Sequence, residues 1–175
     1  MEARLQAQQL YDQHFDLNAC IEKNQYSTDL DYLLMQLGIG LYEIDMRQLF
    51  PNNPRANQDV SACIINKEDN IMLFINEEES LVRQRFSVAH ELGHLVLGHL
   101  SSEKAMDICF RNDDSSKGSI KKEIDANKFA STLLMPTELV KRVYTLGYTV
   151  LEMAQIFTVS KKAMMYRLDS LGLDY

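Results

Sequence analysis

Two histidines and one glutamate, at fixed spacing, are the residues of this sequence best suited to chemistry. They lie in His90-Glu91-Leu92-Gly93-His94, an H-E-x-x-H arrangement. On a helix, residues four apart project from one face, so both imidazoles can bind one tetrahedral zinc ion. The carboxylate of Glu91 can then take a proton from a water that zinc acidifies, which is the chemistry of peptide hydrolysis. The spacing therefore predicts His90 and His94 as metal ligands and Glu91 as a catalytic general base.

A motif with three fixed positions also occurs by chance, but the residues around this motif indicate a metal site and not a chance match. The motif falls on a helix predicted over 77–98, after a predicted hairpin. Phe86 and Leu97 share the face of the histidines, as a buried active-site helix requires. A glycine inside a helix costs about 1 kcal/mol relative to alanine, so we expect another part of the backbone to approach Gly93 closely.

The third protein ligand has to come from outside the motif, because a catalytic zinc usually has three protein ligands and one open position. His99 lies about 140° around the helix from His94, which favours a role at the helix end or in contact with a ligand. The next predicted helix, 120–134, offers two carboxylates, Glu123 and Asp125. The residues alone leave the choice between these two open.

The histidine motif and the helix after it together form a paired pattern. It reads R-F-S-V-A-H-E-L-G-H over 85–94, E-x-x-A-N-x-F-A over 123–130 and L-L-M-P over 133–136. This pattern resembles the ImmA/IrrE family of bacterial metallopeptidases, over about 60–172 of the chain. The paired motifs are specific, so we expect the properties of that family here.

The resemblance implies a fold, a ligand set and a substrate class. The expected fold is zincin-like, and the glutamate of the E-x-x-A-N segment makes Glu123 the third zinc ligand beside His90 and His94. Family members of known role cleave a repressor protein, which frees genes of a phage, a mobile element or a stress response. Peptide hydrolysis also follows from the residues themselves, whereas a repressor as substrate follows from the resemblance alone.

The elements around the motif predict an α+β fold that is mostly helical, with a small antiparallel sheet beside the active-site helix. Apolar residues at helical spacing predict two helices within 1–37, before Gly38. Isoleucine-rich runs at 62–65 and 71–75 flank a polar turn and predict a hairpin. An extended substrate pairs with a strand beside the active-site helix in zincins, and we expect 71–75 to be that strand.

Polar residues predict where the active-site helix begins and how the chain continues after it. Asn76 with Glu79 three residues later predicts a capping box at the helix start. The polar stretch 101–119 predicts a mobile loop between the two helices that would hold the metal.

The C-terminal segment 137–175 predicts three short helices and supports the main alternative function. The last two resemble a helix-turn-helix, with Lys161, Lys162 and Arg167 on the second helix. The alternative is a DNA-binding or toxin–antitoxin-type regulator in which zinc is structural. The segment has five basic and four acidic residues, a net charge of +1, which favours packing or substrate docking over DNA contact. We expect it to pack on a metallopeptidase domain formed by 1–136.

Composition narrows the class of protein further. The 175 residues suit one domain with a core of its own, and the net charge of −7 disfavours nucleic acid as a partner. Cys20, Cys63 and Cys109 are odd in number and widely spaced, which predicts reduced thiols. No stretch reads as a secretory signal or a membrane span, so we expect a cytoplasmic protein without membrane contact.

Overall fold

The computed structural model of the chain describes residues 1–67, 70–100, 106–110 and 117–175. Within these ranges, helices predominate around one sheet of four strands, which confirms the predicted fold class. The elements in chain order are α1 (Glu2–His14), α2 (Leu17–Glu22), α3 (Leu30–Gln36), β1 (Gly40–Ile44), α4 (Met46–Leu49), α5 (Ala56–Asp59), β2 (Val60–Lys67), β3 (Asn70–Asn76), α6 (Leu81–Val96), β4 (Met106–Phe110), α7 (Lys117–Leu134), α8 (Thr137–Thr145), α9 (Val150–Phe157) and α10 (Lys161–Leu171).

The sheet has the strand order β1-β3-β2-β4 and is mixed. The predicted hairpin is present, because β2 and β3 pair antiparallel with Ile64 opposite Leu73. β4 pairs antiparallel with the other edge of β2, and β1 pairs parallel with β3. The prediction of an antiparallel sheet therefore needs correction, because the pairing of β1 with β3 is parallel. α4, α5 and β2 lie between these two strands in the chain. Both edges of β3 are occupied, so the prediction that 71–75 pairs with an extended substrate is wrong.

Two predictions of local structure near the active-site helix need correction. The predicted loop 101–119 contains β4, and α7 already begins at Lys117; the parts at 101–105 and 111–116 lie outside the described residues. The helix α6 begins at Leu81, with Ser80 and not Asn76 at the N-cap position. Asn76 is fully buried and donates to the carbonyl oxygens of Asn57 and Val60, at 2.8 and 3.1 Å. These bonds connect the end of β3 to α5 and to the start of β2. They also give the buried amide the acceptors that it requires.

The N-terminal region forms three helices where two were predicted. Asp16 begins α2, and its carboxylate accepts from the backbone N–H groups of Asn18 and Ala19. Asp29 begins α3 in the same way, through the N–H of Tyr32. Both caps satisfy N–H groups that a helix start leaves without intrahelical partners, which explains why the chain restarts its helix at these aspartates.

The three predicted C-terminal helices are present as α8, α9 and α10. Their buried side chains, such as Phe157 and Leu168, belong to the same hydrophobic cluster as Leu133 and Met135 at the end of α7. The boundary at residue 136 stays a prediction, since the two parts share this core. No helix in the described ranges has the length and apolar character needed to cross a membrane.

Candidate metal centre

The helix α6 carries both histidines of the motif against α7. A Cβ atom at Gly93 would lie 3.1–3.2 Å from atoms of Phe129, closer than side chains normally approach. The expected close neighbour of Gly93 is therefore present, although it is a side chain of α7 and not backbone. Because no side chain stands at Gly93, α7 approaches α6 closely one residue before His94. His90 is 4% exposed on the same helix.

Three donor atoms from the two helices converge at this contact. The Nε2 atoms of His90 and His94 are 3.0 Å apart. Oε2 of Glu123 lies 3.1 Å from the first, and Oε1 of the same carboxylate lies 3.2 Å from the second. Each separation is close to the edge of a tetrahedron with zinc–ligand bonds of 2.0–2.1 Å, which is about 3.3 Å long. The group can hold a metal ion.

The protonation of His90 fits this interpretation. Its Nδ1 lies 3.0 Å from Oδ1 of Asn127, an atom that can only accept, so Nδ1 carries the proton. A neutral imidazole protonated at Nδ1 presents a lone pair at Nε2, which faces His94 and Glu123. Lone pairs and a carboxylate at such distances repel each other unless a proton or a metal ion lies between them. The donor set therefore fits a metal ion by its chemistry as well as by its distances.

His99 contacts a member of the donor group without belonging to it. Its Nδ1 lies 3.3 Å from Nδ1 of His94, on the side of that ring away from Glu123. The geometry supports both roles left open for it, since its backbone N–H also donates to the carbonyl oxygen of His94 at 2.9 Å, at the end of α6. The contact between the two Nδ1 atoms leaves Nε2 of His94 directed at the other donors.

The electrostatics of the group favour the protonation states that bind metals. Burial, and then the neighbouring His90, lowers the pKa of His94 to about 4. The imidazole of His90 is the largest cause of a lowered pKa at Glu123, and partial burial opposes it. A neutral His94 and an ionised Glu123 are the forms that donate electron pairs to a metal.

The other candidate carboxylates lie apart from the donor group. Asp125 contacts Nζ of Lys128 at 3.4 Å, so of the two carboxylates left open it is Glu123 that joins the histidines. Glu91 is buried at 2% exposure, next to the first histidine. Burial, and then the charge of Glu91, raises the pKa of Cys63 on β2 to about 12.

Asn127 is the site residue that the sequence analysis did not single out. It lies four residues after Glu123 on α7, so both project from one face of the helix. That spacing was visible in the E-x-x-A-N segment. What the sequence did not contain was the position of α7 relative to His90.

A comparison with known protein families matches the region that contains the donor group. The family model described as the IrrE N-terminal-like domain (Peptidase_M78) matches residues 52–169, which include the whole donor group. The chain belongs to this family. Its IrrE-like region thus spans from the loop between α4 and α5 into α10, and the resemblance expected from the motifs is confirmed.

Structural similarity extends over nearly the whole chain. A Mycobacterium tuberculosis transcriptional regulator aligns with a TM-score of 0.52 and 17% identity, over 97% of this chain and 52% of that one. At this identity the likeness shows the fold alone, and this IrrE-like chain spans about half the length of that protein. No curated protein sequence matches the chain.

The basic residues of the predicted helix-turn-helix do not form one surface. Lys161 and Lys162 are exposed at the start of α10. Arg167 is 2% exposed and donates from Nε to the carbonyl oxygen of Met135 at 2.9 Å and from Nη2 to Thr137 at 3.0 Å. Placing Arg167 on a DNA-contacting face is therefore wrong. It joins α10 to the turn between α7 and α8.

Proposed function

We propose that this chain is a zinc-dependent endopeptidase. His90, His94 and Glu123 would hold the zinc, and Glu91 would act as the general base. The observation that carries the proposal is the convergence of Nε2 of His90, Nε2 of His94 and the carboxylate of Glu123, with separations of 3.0–3.2 Å. The buried Glu91 follows His90 directly in the chain. Membership in a peptidase family supports the proposal.

Each residue of the site has a role in this reaction. Zinc, when bound, supplies a Lewis acid that acidifies water and polarises the peptide carbonyl. Asn127 fixes the tautomer of His90 through the bond to Nδ1. Glu91 takes the proton of the attacking water and returns it to the leaving amine. At 2% exposure, its carboxylate is kept away from bulk solvent.

A regulator with structural zinc is the weaker candidate. A structural zinc site usually has four protein ligands, whereas the donor group of the described residues has three. Such a site also gives no reason for a buried Glu91 beside the first ligand. DNA contact through α10 loses support because Arg167 is buried, and the chain as a whole has a net charge of −7.

The substrate that we propose is a cytoplasmic protein, a transcriptional repressor of a phage, a mobile element or a stress response. This part rests on the family resemblance and on no contact in the site. A protein substrate is easier to test than a named repressor, since it can be captured first and identified afterwards.

Substrate trapping tests the proposal. A zinc-loaded Glu91→Gln variant should retain a protein from the native host lysate, because it binds the substrate and turns it over slowly. The wild-type chain should then cleave the captured protein into two fragments, and a metal chelator should stop the cleavage. A captured protein that the zinc-loaded wild type leaves intact would contradict the proposed activity.

A further inference from the structure

A cavity of about 610 Å³ opens beside the candidate metal centre. Residues of α6, α7 and α10 line it, together with Arg4 of α1. Asn127 lines the cavity and bonds to His90. Phe86 lines it too, and its ring centroid lies 6.2 Å from that of His90. One end of the cavity therefore reaches the residues around the first histidine.

The charge of this cavity is opposite to that of the chain. Whereas the whole protein has a net charge of −7, no aspartate or glutamate is among the described residues that line the cavity. The basic side chains that line it come from four helices or their starts: Arg4, Arg83, Lys128 and Lys162. An acidic protein that gathers four cations in one concavity attracts an anionic group there.

Two carboxylates that do not line the cavity compensate part of its positive charge. Glu79 lies 3.8 Å from Arg83, and Asp125 lies 3.4 Å from Lys128. Lys162 lies over the ring of Tyr166, 5.8 Å from its centroid. Four cations against two carboxylates leave an excess of positive charge. The aromatic ring and Phe86 add apolar surface against which a methylene chain can pack.

Two helix starts also meet at the cavity. Ser80 precedes α6 and Ser160 precedes α10, and both serines line it. The positive ends of these helix dipoles add to the field of the side chains. Cations, helix starts and apolar walls together form a site for a carboxylate at the end of a short aliphatic chain.

We infer that this cavity receives an acidic side chain of the protein substrate, close to the bond that is cleaved. The inference rests on the proposed function, because it places a neighbouring residue of the same substrate. A peptide fits better than DNA, since the site is a concavity lined by two residues that contact His90, whereas a phosphate backbone requires a continuous basic face. Arg167, which would extend such a face on α10, is buried.

The test uses peptide binding to the zinc-loaded Glu91→Gln variant, in which turnover does not interfere. Two fluorescein-labelled peptides of equal length differ only in having glutamate or glutamine between alanine and leucine residues. The glutamate peptide should bind about tenfold more tightly, the effect of one or two charge-assisted hydrogen bonds. Adding Arg83→Gln and Lys162→Gln should remove that preference.

Lys161→Gln is the matched control. Lys161 carries the same charge one residue before Lys162 and does not line this cavity. Its substitution should leave the preference within about a factor of two, as for an exposed charge. Equal binding of both peptides, or a preference that survives Arg83→Gln with Lys162→Gln, would overturn the inference. So would duplex DNA that displaces the peptide and needs Lys161 as much as Lys162.

Binding and cleavage are separate readouts in this design. A wild-type enzyme that cleaves its captured substrate but shows no preference for the glutamate peptide would overturn this inference alone. A protein that prefers the glutamate peptide but cleaves no captured protein would overturn the proposed function instead.

Discussion

Polar side chains are arranged differently in two regions of the molecule. One region is the contact between α6 and α7, and the other is the set of C-terminal helices α8 to α10. At the first contact, His90, His94 and Glu123 direct acceptor atoms at one another, 3.0–3.2 Å apart. In the second region, Arg167 directs its donors at the carbonyl oxygen of Met135 and at a hydroxyl. The acceptors of the first region need a proton or a metal ion between them, whereas the donors of Arg167 in the second region already have acceptors.

This difference separates binding sites from structural polar contacts. A buried polar group with its hydrogen bonds made stabilises the fold, whereas a group of converging acceptors can hold a metal ion. Burial lowers the pKa of Arg167 to about 10, a value at which the guanidinium still keeps its charge and its donors at neutral pH. Both motifs were visible in the sequence, but only the surroundings of each side chain show which one is a site.

Removal of the third donor should have the largest effect on the first region. Glu123→Gln leaves two imidazoles and a neutral amide, so affinity for zinc should fall by more than about 100-fold, beyond the usual effect of an outer contact. The purified wild-type protein should contain about one zinc per chain. Elemental analysis and a chelator competition measure both quantities.

Asp125→Asn is the control for that experiment, because Asp125 lies on the same helix and contacts Lys128 instead of the histidines. It should leave zinc affinity unchanged. If Asp125→Asn released the metal and Glu123→Gln did not, the wrong carboxylate would have been assigned to the site.

The contact behind His90 should matter less than the ligand itself. Asn127→Leu removes the acceptor at Nδ1, and affinity for zinc should fall by about 10- to 100-fold. Asn127→Asp keeps an acceptor oxygen and should restore most of the affinity. The same chelator competition measures the change, and an unaltered affinity in Asn127→Leu would show that the tautomer of His90 is fixed by other means.

In the second region the expected effect is on stability and not on metal binding. Arg167→Met leaves the carbonyl oxygen of Met135 without its buried donor, which should cost about 1–3 kcal/mol in the free energy of unfolding. Lys161→Met, at an exposed position of the same helix, should change it by less than about 0.5 kcal/mol. Urea denaturation gives both values. An Arg167→Met variant as stable as wild type would place that side chain at the surface.

The smallest effect is expected where α6 and α7, the two helices that carry the donor group, approach each other. Gly93→Ala places a Cβ atom 3.1–3.2 Å from Phe129 and should destabilise the protein by about 1 kcal/mol, because overpacking outweighs the gain in helix propensity. In a Phe129→Leu background the same substitution should be neutral or stabilising, since the contact is relieved. A thermodynamic cycle of the four proteins measures this coupling.

Local patterns predicted the parts of the fold that depend on neighbouring residues. The spacing of His90 and His94, the hairpin and the three C-terminal helices follow from periods of 3.6 and 2 residues. The parallel pairing of β1 and the inner position of β3 depend on partners far along the chain, which no local pattern specifies. Asn76 matched the cap pattern, but its buried amide donates to carbonyl oxygens of α5 and of the first residue of β2.

For the candidate site, too, the sequence predicted only the features that depend on neighbouring residues. The i, i+4 spacing placed the histidines on one face, but the choice between Glu123 and Asp125 required either a family pattern or the packing of α7 on α6. Asn127 and the cationic cavity beside it depend on four separate helices meeting, and so they appear only in the folded chain.

The role of Glu91 is tested most directly by the rate at which the captured substrate is cleaved by the wild type and by Glu91→Gln at equal zinc content. Glutamine keeps the volume of the side chain but cannot take a proton from water. We expect the variant to retain zinc and its fold, by circular dichroism, while the rate falls by about 10²- to 10⁴-fold. Equal rates, or loss of zinc from the variant alone, would contradict the assignment of Glu91 as the general base.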